Sequence, residues 1–298
     1  MKTPITFIIF NRPDTTERVF ESIRQAKPAK LLIVADGPRQ NKIDEAEKCV
    51  ATRAIIDRVD WHCEVLTNYS DINLGCKRRV SSGMDWVFEQ VEEAIILEDD
   101  CLPDASFFPY CEELLERYRH DTRVMSISGD NFQFSRKRTT ESYYFSRYNH
   151  IWGWATWRRA WKYYDVNVPL WDTIRDGDWL EGLLDSSSEL KTWQQNFQQV
   201  HDGKIDTWDY QWVFACWIQN GLTVLPNINL ISNIGFGEGA THTKNEVHKF
   251  ANLPVESMSF PLAHPKFVLR DTKADKYFND TGSIVSILRN IIINFMKK

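Results

Sequence analysis

A largely parallel α/β sheet covered by helices on both faces is the fold class this sequence predicts, and three observations predict it. Short continuous apolar runs recur through the first third of the chain: "ITFIIF", "LLIVA" and "AIIL". Runs of that length without alternation suit strands buried on both faces, as in a parallel sheet. Segments with helical spacing stand between them, and such β-α-β-α alternation calls for crossover connections.

The elements follow in order. "ITFIIF" (5–10) is the first strand. "NRPDTTERVFESIRQA" follows as a helix, with Asp14 or Thr15 as its cap. "LLIVA" (31–35) ends at "DGPR", a helix spans 45–57, and "CEVLT" (63–67) is the third strand. "NLGCKRRVSSGMDWVFEQV" supplies a loop and a helix, and "AIIL" (94–97) the fourth strand. A helix over 104–119 and the strand "VMSIS" (124–128) come next, then "YYFS" (143–146) as a short strand. Helices are expected at 156–164, 188–201 and 209–219, and a strand at 222–225. With no internal repeat, low-complexity tract or Pro/Gly/Ser linker, residues 1–282 read as one domain with an elaborated second half from about 131.

Composition narrows the function classes. The 298 residues carry a formal charge of -5, which argues against nonspecific nucleic-acid binding. The N-terminus lacks the long apolar run and small-residue cleavage site of a secretory signal, and no run is long enough to span a membrane. The 6 cysteines form no C-x-x-C pair and no zinc-like spacing with His, so they read as reduced thiols of a cytoplasmic protein. Many of the 12 Trp fall between Trp152 and Trp217, which assigns the second half a different task from the first.

In a parallel sheet, ligands sit beyond the carboxyl ends of the strands. The residues expected there are Asn11 and Arg12, Asp36, the stretch Asn73 to Arg79, and Glu98, Asp99 and Asp100. Adjacent carboxylates repel, and a hard divalent cation that takes one or two carboxylates while bridging phosphates would offset that repulsion. A solvated acidic turn is the plainer alternative. Two distant features favour the cation: the Gly-rich "GFGEGATHT" (235–243), which carries His242, and the basic "KRR" (77–79), suited to phosphate. No H-E-x-x-H, Walker loop or G-x-G-x-x-G offers rival chemistry.

The ordered set "FNRPD", "ADGPR", "NLGCKRR", "ILEDDCLPDASFF", "WGWATW", "TWDYQW" and "GFGEGATHT" resembles the nucleotide-sugar glycosyltransferases of the GT-A fold. The likeness is to bacterial family 2 enzymes and the N-acetylglucosaminyltransferase I group, and it runs from about residue 4 to about residue 245. It implies a GT-A, Rossmann-like sheet with a nucleotide-binding half over about 1–130 and an acceptor-binding half over about 131–282. It implies further that Glu98, Asp99 and Asp100 form the acidic metal motif, with Asp100 the direct ligand to Mn²⁺ or Mg²⁺ and Asp99 near the ribose or diphosphate. His242 approaches the metal and diphosphate, Lys77 and Arg78 assist there, and Asp36 contacts the base with Asn11 and Arg12 nearby. The loop "WGWATW" lies beneath donor sugar and acceptor. Asp209 matches the base of inverting members, with Asp206 as its rival because the related motif often has two acids together.

The activity implied is transfer of a sugar from a nucleoside diphosphate-sugar, UDP-linked by analogy, to a hydroxyl of a glycan or lipid-linked glycan. A sugar-nucleotide pyrophosphorylase shares the sheet and carboxylates, but usually carries a Gly-rich basic loop where this chain has "FNRPD". A noncatalytic carbohydrate-binding protein on a degenerate transferase fold is the other alternative. Trp152, Trp154, Trp157 and Trp208 are the Trp candidates for sugar contact, against core packing for the rest. The tail 283–298 has an apolar stripe (Ile284, Ile287, Leu288, Ile291, Ile292, Phe295) with a basic end. It either packs on the domain or makes peripheral contact at the inner face of the cell membrane.

Overall fold

The computed structural model describes residues 1–236 and 250–282. His242 and the tail helix at 283–298 lie outside the described residues. Among the described residues, ten strands and nine α-helices follow one another, with a single 3-10 turn at Ile56–Arg58. The first half contains β1 (Ile5–Ile9), α1 (Pro13–Ala26), β2 (Lys30–Ala35), α2 (Glu45–Ala54), β3 (Glu64–Tyr69), α3 (Gly75–Gln90), β4 (Glu93–Glu98), β5 (Cys101–Pro103), α4 (Phe107–Tyr118) and β6 (Val124–Ser128). The second contains β7 (Tyr143–Ser146), β8 (Trp154–Trp157), α5 (Arg158–Trp161), α6 (Trp171–Asp176), α7 (Ser187–His201), α8 (Asp209–Ile218), β9 (Leu222–Pro226), β10 (Ile231–Asn233) and α9 (Thr272–Gly282).

Eight strands form one sheet in the order β3-β2-β1-β4-β8-β6-β9-β7, and β10 pairs with β5 in a second, two-stranded sheet. The pairings β1 with β2, β2 with β3 and β1 with β4 are parallel, as is β6 with β9; β8 runs antiparallel between β4 and β6. This is the expected α/β class: a mixed, largely parallel, Rossmann-like sheet flanked by helices.

Alternation along the central strands builds both layers. Phe7, Ile33, Ile95 and Leu97 face a core with Val19, Phe20 and Ile23 of α1 and Leu114 of α4. Ile8, Leu32, Val34 and Ile96 face the other side, against Val80, Met84 and Val87 of α3. Helix α1 starts on Pro13, whose missing N–H is no loss at the first helical position, so Arg12 and not Asp14 or Thr15 is the flanking residue.

Helix α8 sets where the second half meets the first. Trp212, Ala215 and Cys216 join the α3 layer, while Tyr210, Val213, Phe214 and Trp217 pack with Trp171, Trp193 and Phe197 in a third core. A helix apolar on all sides must be buried on all sides, so α8 is a wedge whose polar N-terminus emerges at the sheet edge. The segment after residue 250 belongs to the body as well: Met258 and Leu262 lie in the first core and Phe278 of α9 in the third.

Two expectations are corrected here. Residues 154–157 form a strand, not part of a loop or helix, because "WATW" pairs on both sides and every one of its side chains is buried. Trp154, expected at the sugar, is 0% exposed and stacks on Trp208 at 5.4 Å, so it is core; Trp157 and Trp208 are core too.

Candidate functional site

Strand β4 runs level with β1, Glu98 beside Ile8, which delivers Glu98, Asp99 and Asp100 next to Asn11 and Arg12 at the carboxyl ends. Arg12 answers the acid cluster directly. Its Nη2 pairs with Asp99 Oδ1, and its Nη1 donates to Asp100 Oδ2 at 3.0 Å. Asp99, 3% exposed, also accepts the Phe10 N–H at 3.3 Å. Burial raises the Asp99 carboxyl, Arg12 pulls it back, and the net effect is upward. Burial, then Asp100 and Asp99, push the Glu98 carboxyl well above the usual carboxylate range.

The second half reaches the same edge. Asp209 opens α8 and accepts from the Thr207 hydroxyl. Its charge raises both Glu98 and Cys76, the residue in the first turn of α3. Asp206 is exposed and accepts the Lys77 N–H at 3.1 Å, so it caps that helix from across the chain. Gly75, at φ 78, gives the turn its left-handed backbone, and a Cβ there would stand 2.8 Å from Asp206 Oδ2. Both rivals for the base therefore come to the site, in different roles: Asp206 is tied to backbone, and Asp209 faces the Glu98–Cys76 region.

Asp36 is 6% exposed, and its bonds run inward. Oδ1 accepts from Gly37 and Leu74 N–H at 2.9 Å each; Oδ2 accepts from Asn73 Nδ2 at 3.0 Å and Gly75 N–H at 3.1 Å. It clamps the loop that launches α3. Asn11 donates to Glu45 Oε1 at 2.9 Å, and Arg39 closes on the same carboxylate. Glu45 carried no signal in the sequence, since an acid in "IDEAEK" looks like a solvated helix start. Lys77 is half-buried and Arg78 exposed, whereas Arg79 is buried and bonds Asn68, so the three basic residues separate into two functions.

Strand β10 carries the chain back over the acids: the Ile234 N–H donates to Asp100 O at 2.8 Å. A Cβ at Gly235 would lie 2.1 Å from Asp100 Oδ2 and 2.7 Å from Arg12 Nη1, so only glycine passes there. Phe236 then sets its ring against Trp152 at 5.7 Å, and Trp152 is the one member of the Trp set left partly exposed.

Whether these residues suit a divalent cation turns on Asp100. One oxygen holds Arg12, and the other accepts only a weak bond from the Cys101 thiol at 3.5 Å among the described residues. No three His, Cys, Asp or Glu side chains gather as a metal-binding group among the described residues. The donor set fits a cation that takes one carboxylate and draws its other oxygens from a diphosphate, as Mg²⁺ does, and does not fit an all-protein cage.

No family model matches the chain, and no curated protein matches it in sequence. Among solved structures it is similar to 4-diphosphocytidyl-2C-methyl-D-erythritol synthase from Anaerococcus prevotii DSM 20548, with TM-score 0.32, 10% identity, and 73% of this chain and 96% of that chain covered. It is also similar to apo UDP-glucose pyrophosphorylase, with TM-score 0.37, 8% identity and coverage of 77% and 93%. A UDP-glucose pyrophosphorylase complexed with UDP-glucose gives TM-score 0.36, 9% identity and coverage of 78% and 93%. A likeness this loose carries no weight for the chemistry, which rests on the side chains above. No helix among the described residues is long and apolar enough to cross a membrane.

Proposed function

We propose that this chain is a metal-dependent glycosyltransferase that moves a sugar from a nucleoside diphosphate-sugar, UDP-linked, to a hydroxyl of a glycan or lipid-linked glycan, with inversion. One observation carries the reading: α8 brings Asp209 from the second half to the edge where β4 ends in Glu98, Asp99 and Asp100. Direct displacement would need anion-stabilising groups on one side of a sugar and a carboxylate on the other, and these two sets of residues could supply both. Asp100, with His242, would hold Mn²⁺ or Mg²⁺, which supplies charge stabilisation to a departing diphosphate when bound.

The chain's own groups do the rest. Arg12 offers a fork of N–H donors to phosphate, and Lys77 and Arg78 add charge at the start of α3. Asp36 holds the 73–75 loop that presents those cations, with the nucleotide base against that loop. Asp209 takes the acceptor hydroxyl's proton. Trp152 offers its ring to the sugar, and Glu98 to Asp99 line the donor's ribose side. The acceptor lies over the α6–α8 half.

Calorimetry of UDP with and without Mn²⁺, together with a donor-hydrolysis screen over common nucleotide sugars, tests the reading. Metal-linked UDP binding and metal-dependent hydrolysis are expected, and Asp100→Ala should lose both while keeping the fold. Metal-independent activity in the parent would remove the metal role. Formation of UTP from UDP-glucose and pyrophosphate would replace transfer by nucleotidyl chemistry.

A further inference from the structure

The acid cluster already holds a cation of its own. One guanidinium spans two neighbouring carboxylates, Asp99 through Nη2 and Asp100 through Nη1 at 3.0 Å. The two halves of that fork are unequal. Asp99 is buried and held by the Phe10 N–H, whereas the Asp100 side chain keeps 14% of its surface open. The Arg12 side chain itself is 21% exposed, and the chain passes over the pair at Gly235 without a side chain. The Asp100 contact is therefore the replaceable one.

Resting on the donor-sugar reading, we infer that Arg12 is a placeholder cation at Asp100 that makes metal and nucleotide binding cooperative. A divalent cation arriving alone must share the Asp100 carboxylate with a guanidinium already at hydrogen-bond distance, and two cations on one carboxylate repel. A diphosphate changes both sides of that competition. It gives the planar guanidinium of Arg12 a doubly accepting partner, which draws Nη1 from Asp100. It also supplies the oxygens that a cation with one protein carboxylate lacks. Each ligand then raises the affinity of the other by the same factor, because binding coupling is reciprocal.

The test is calorimetric titration of Mn²⁺ into the full chain at about pH 8, with and without UDP, for the parent, Arg12→Gln and Arg12→Lys. In the parent, UDP should raise Mn²⁺ affinity by about 5- to 150-fold, the usual range of coupling between sites. Arg12→Gln removes the competing charge, so Mn²⁺ alone should bind about tenfold tighter and the UDP enhancement should shrink by a similar factor. Arg12→Lys keeps a charge without the fork and should fall between; it carries the test if the Gln variant does not fold. Unchanged or weaker binding of Mn²⁺ alone, with the UDP enhancement intact in a folded variant, overturns the placeholder role and leaves the functional reading standing. No UDP-linked Mn²⁺ binding in the parent overturns both.

Discussion

Asp36 is where a binding role and a structural role make different predictions. Asp36→Ala leaves the Leu74, Gly75 and Gly37 N–H groups and the Asn73 amide without their acceptor. A buried donor left unsatisfied costs about 1–3 kcal/mol. Leu74 and Gly75 are only half-buried, so water can replace part of what is lost, and we expect about 2–4 kcal/mol in all. Asp36→Asn separates the two oxygens. The amide carbonyl can still accept from Gly37 and Leu74, while its NH₂ would face the Asn73 amide and the Gly75 N–H, donor against donor. About half the alanine cost should remain. Urea unfolding followed by tryptophan fluorescence reads both values, and an unchanged m-value confirms that only stability has moved. UDP affinity should fall in step with stability, since the loop that launches Lys77 and Arg78 loosens. The clamp is refuted if Asp36→Ala stays within about 0.5 kcal/mol of the parent, the range of an ordinary surface change, while UDP binding is lost.

The other predictions concern single side chains. Asp209→Asn should keep UDP and metal affinity and lower turnover about a hundred- to ten-thousand-fold; Asp206→Asn should keep turnover near normal, and a dead Asp206 variant beside an active Asp209 variant would reverse the assignment. Gly235→Ala should weaken metal-linked UDP binding at a stability cost of about 1–3 kcal/mol, because the new methyl meets the Asp100 carboxylate; unchanged binding would mean that the loop has room to spare. Trp154→Ala should destabilise by about 3–5 kcal/mol as a core truncation, and a raised donor KM at undiminished stability would return Trp154 to the sugar site. Burial raises the Glu45 carboxyl, but the bonds from Arg39 and Asn11 outweigh it and the net shift is downward. Its contribution is therefore present above the ordinary value of 4.5 and lost as pH falls through the depressed one. Glu45→Gln should accordingly flatten the stability-pH curve in that acid range and leave neutral-pH slopes unchanged.

Periodicity made the strands and most helices legible, because burial on two faces leaves an unmistakable mark on "ITFIIF" or "VMSIS". It failed at "WATW", where a four-residue strand shows no period and its Trp content pointed to an open loop. The acid cluster was legible by position, since any carboxylates beyond β4 must meet whatever follows β1. What its neighbours do was not, because hydrogen-bond direction leaves no trace in a sequence. Asp36 and Asp100 both lie just beyond the end of a strand, yet one is spent on backbone N–H groups and the other on a side chain that can move.

That contrast bears on how the site can work. The Leu74 and Gly75 N–H donors to Asp36 stand where the chain passes from β3 into α3, so displacing them unravels a helix start. Arg12 is a long side chain at the entry of α1, and its departure from Asp100 leaves every backbone bond intact. Under the proposed function, the charge that would rearrange when a diphosphate arrives is carried by the group whose movement disturbs the fold least. The same reasoning separates the base candidates: Asp206 serves the Lys77 N–H and would release a helix end by turning away, whereas Asp209 already stands at the head of the buried wedge α8. The proposed proton acceptor would have to hold its place while substrate comes and goes, and a helix packed on all sides would supply that rigidity to Asp209.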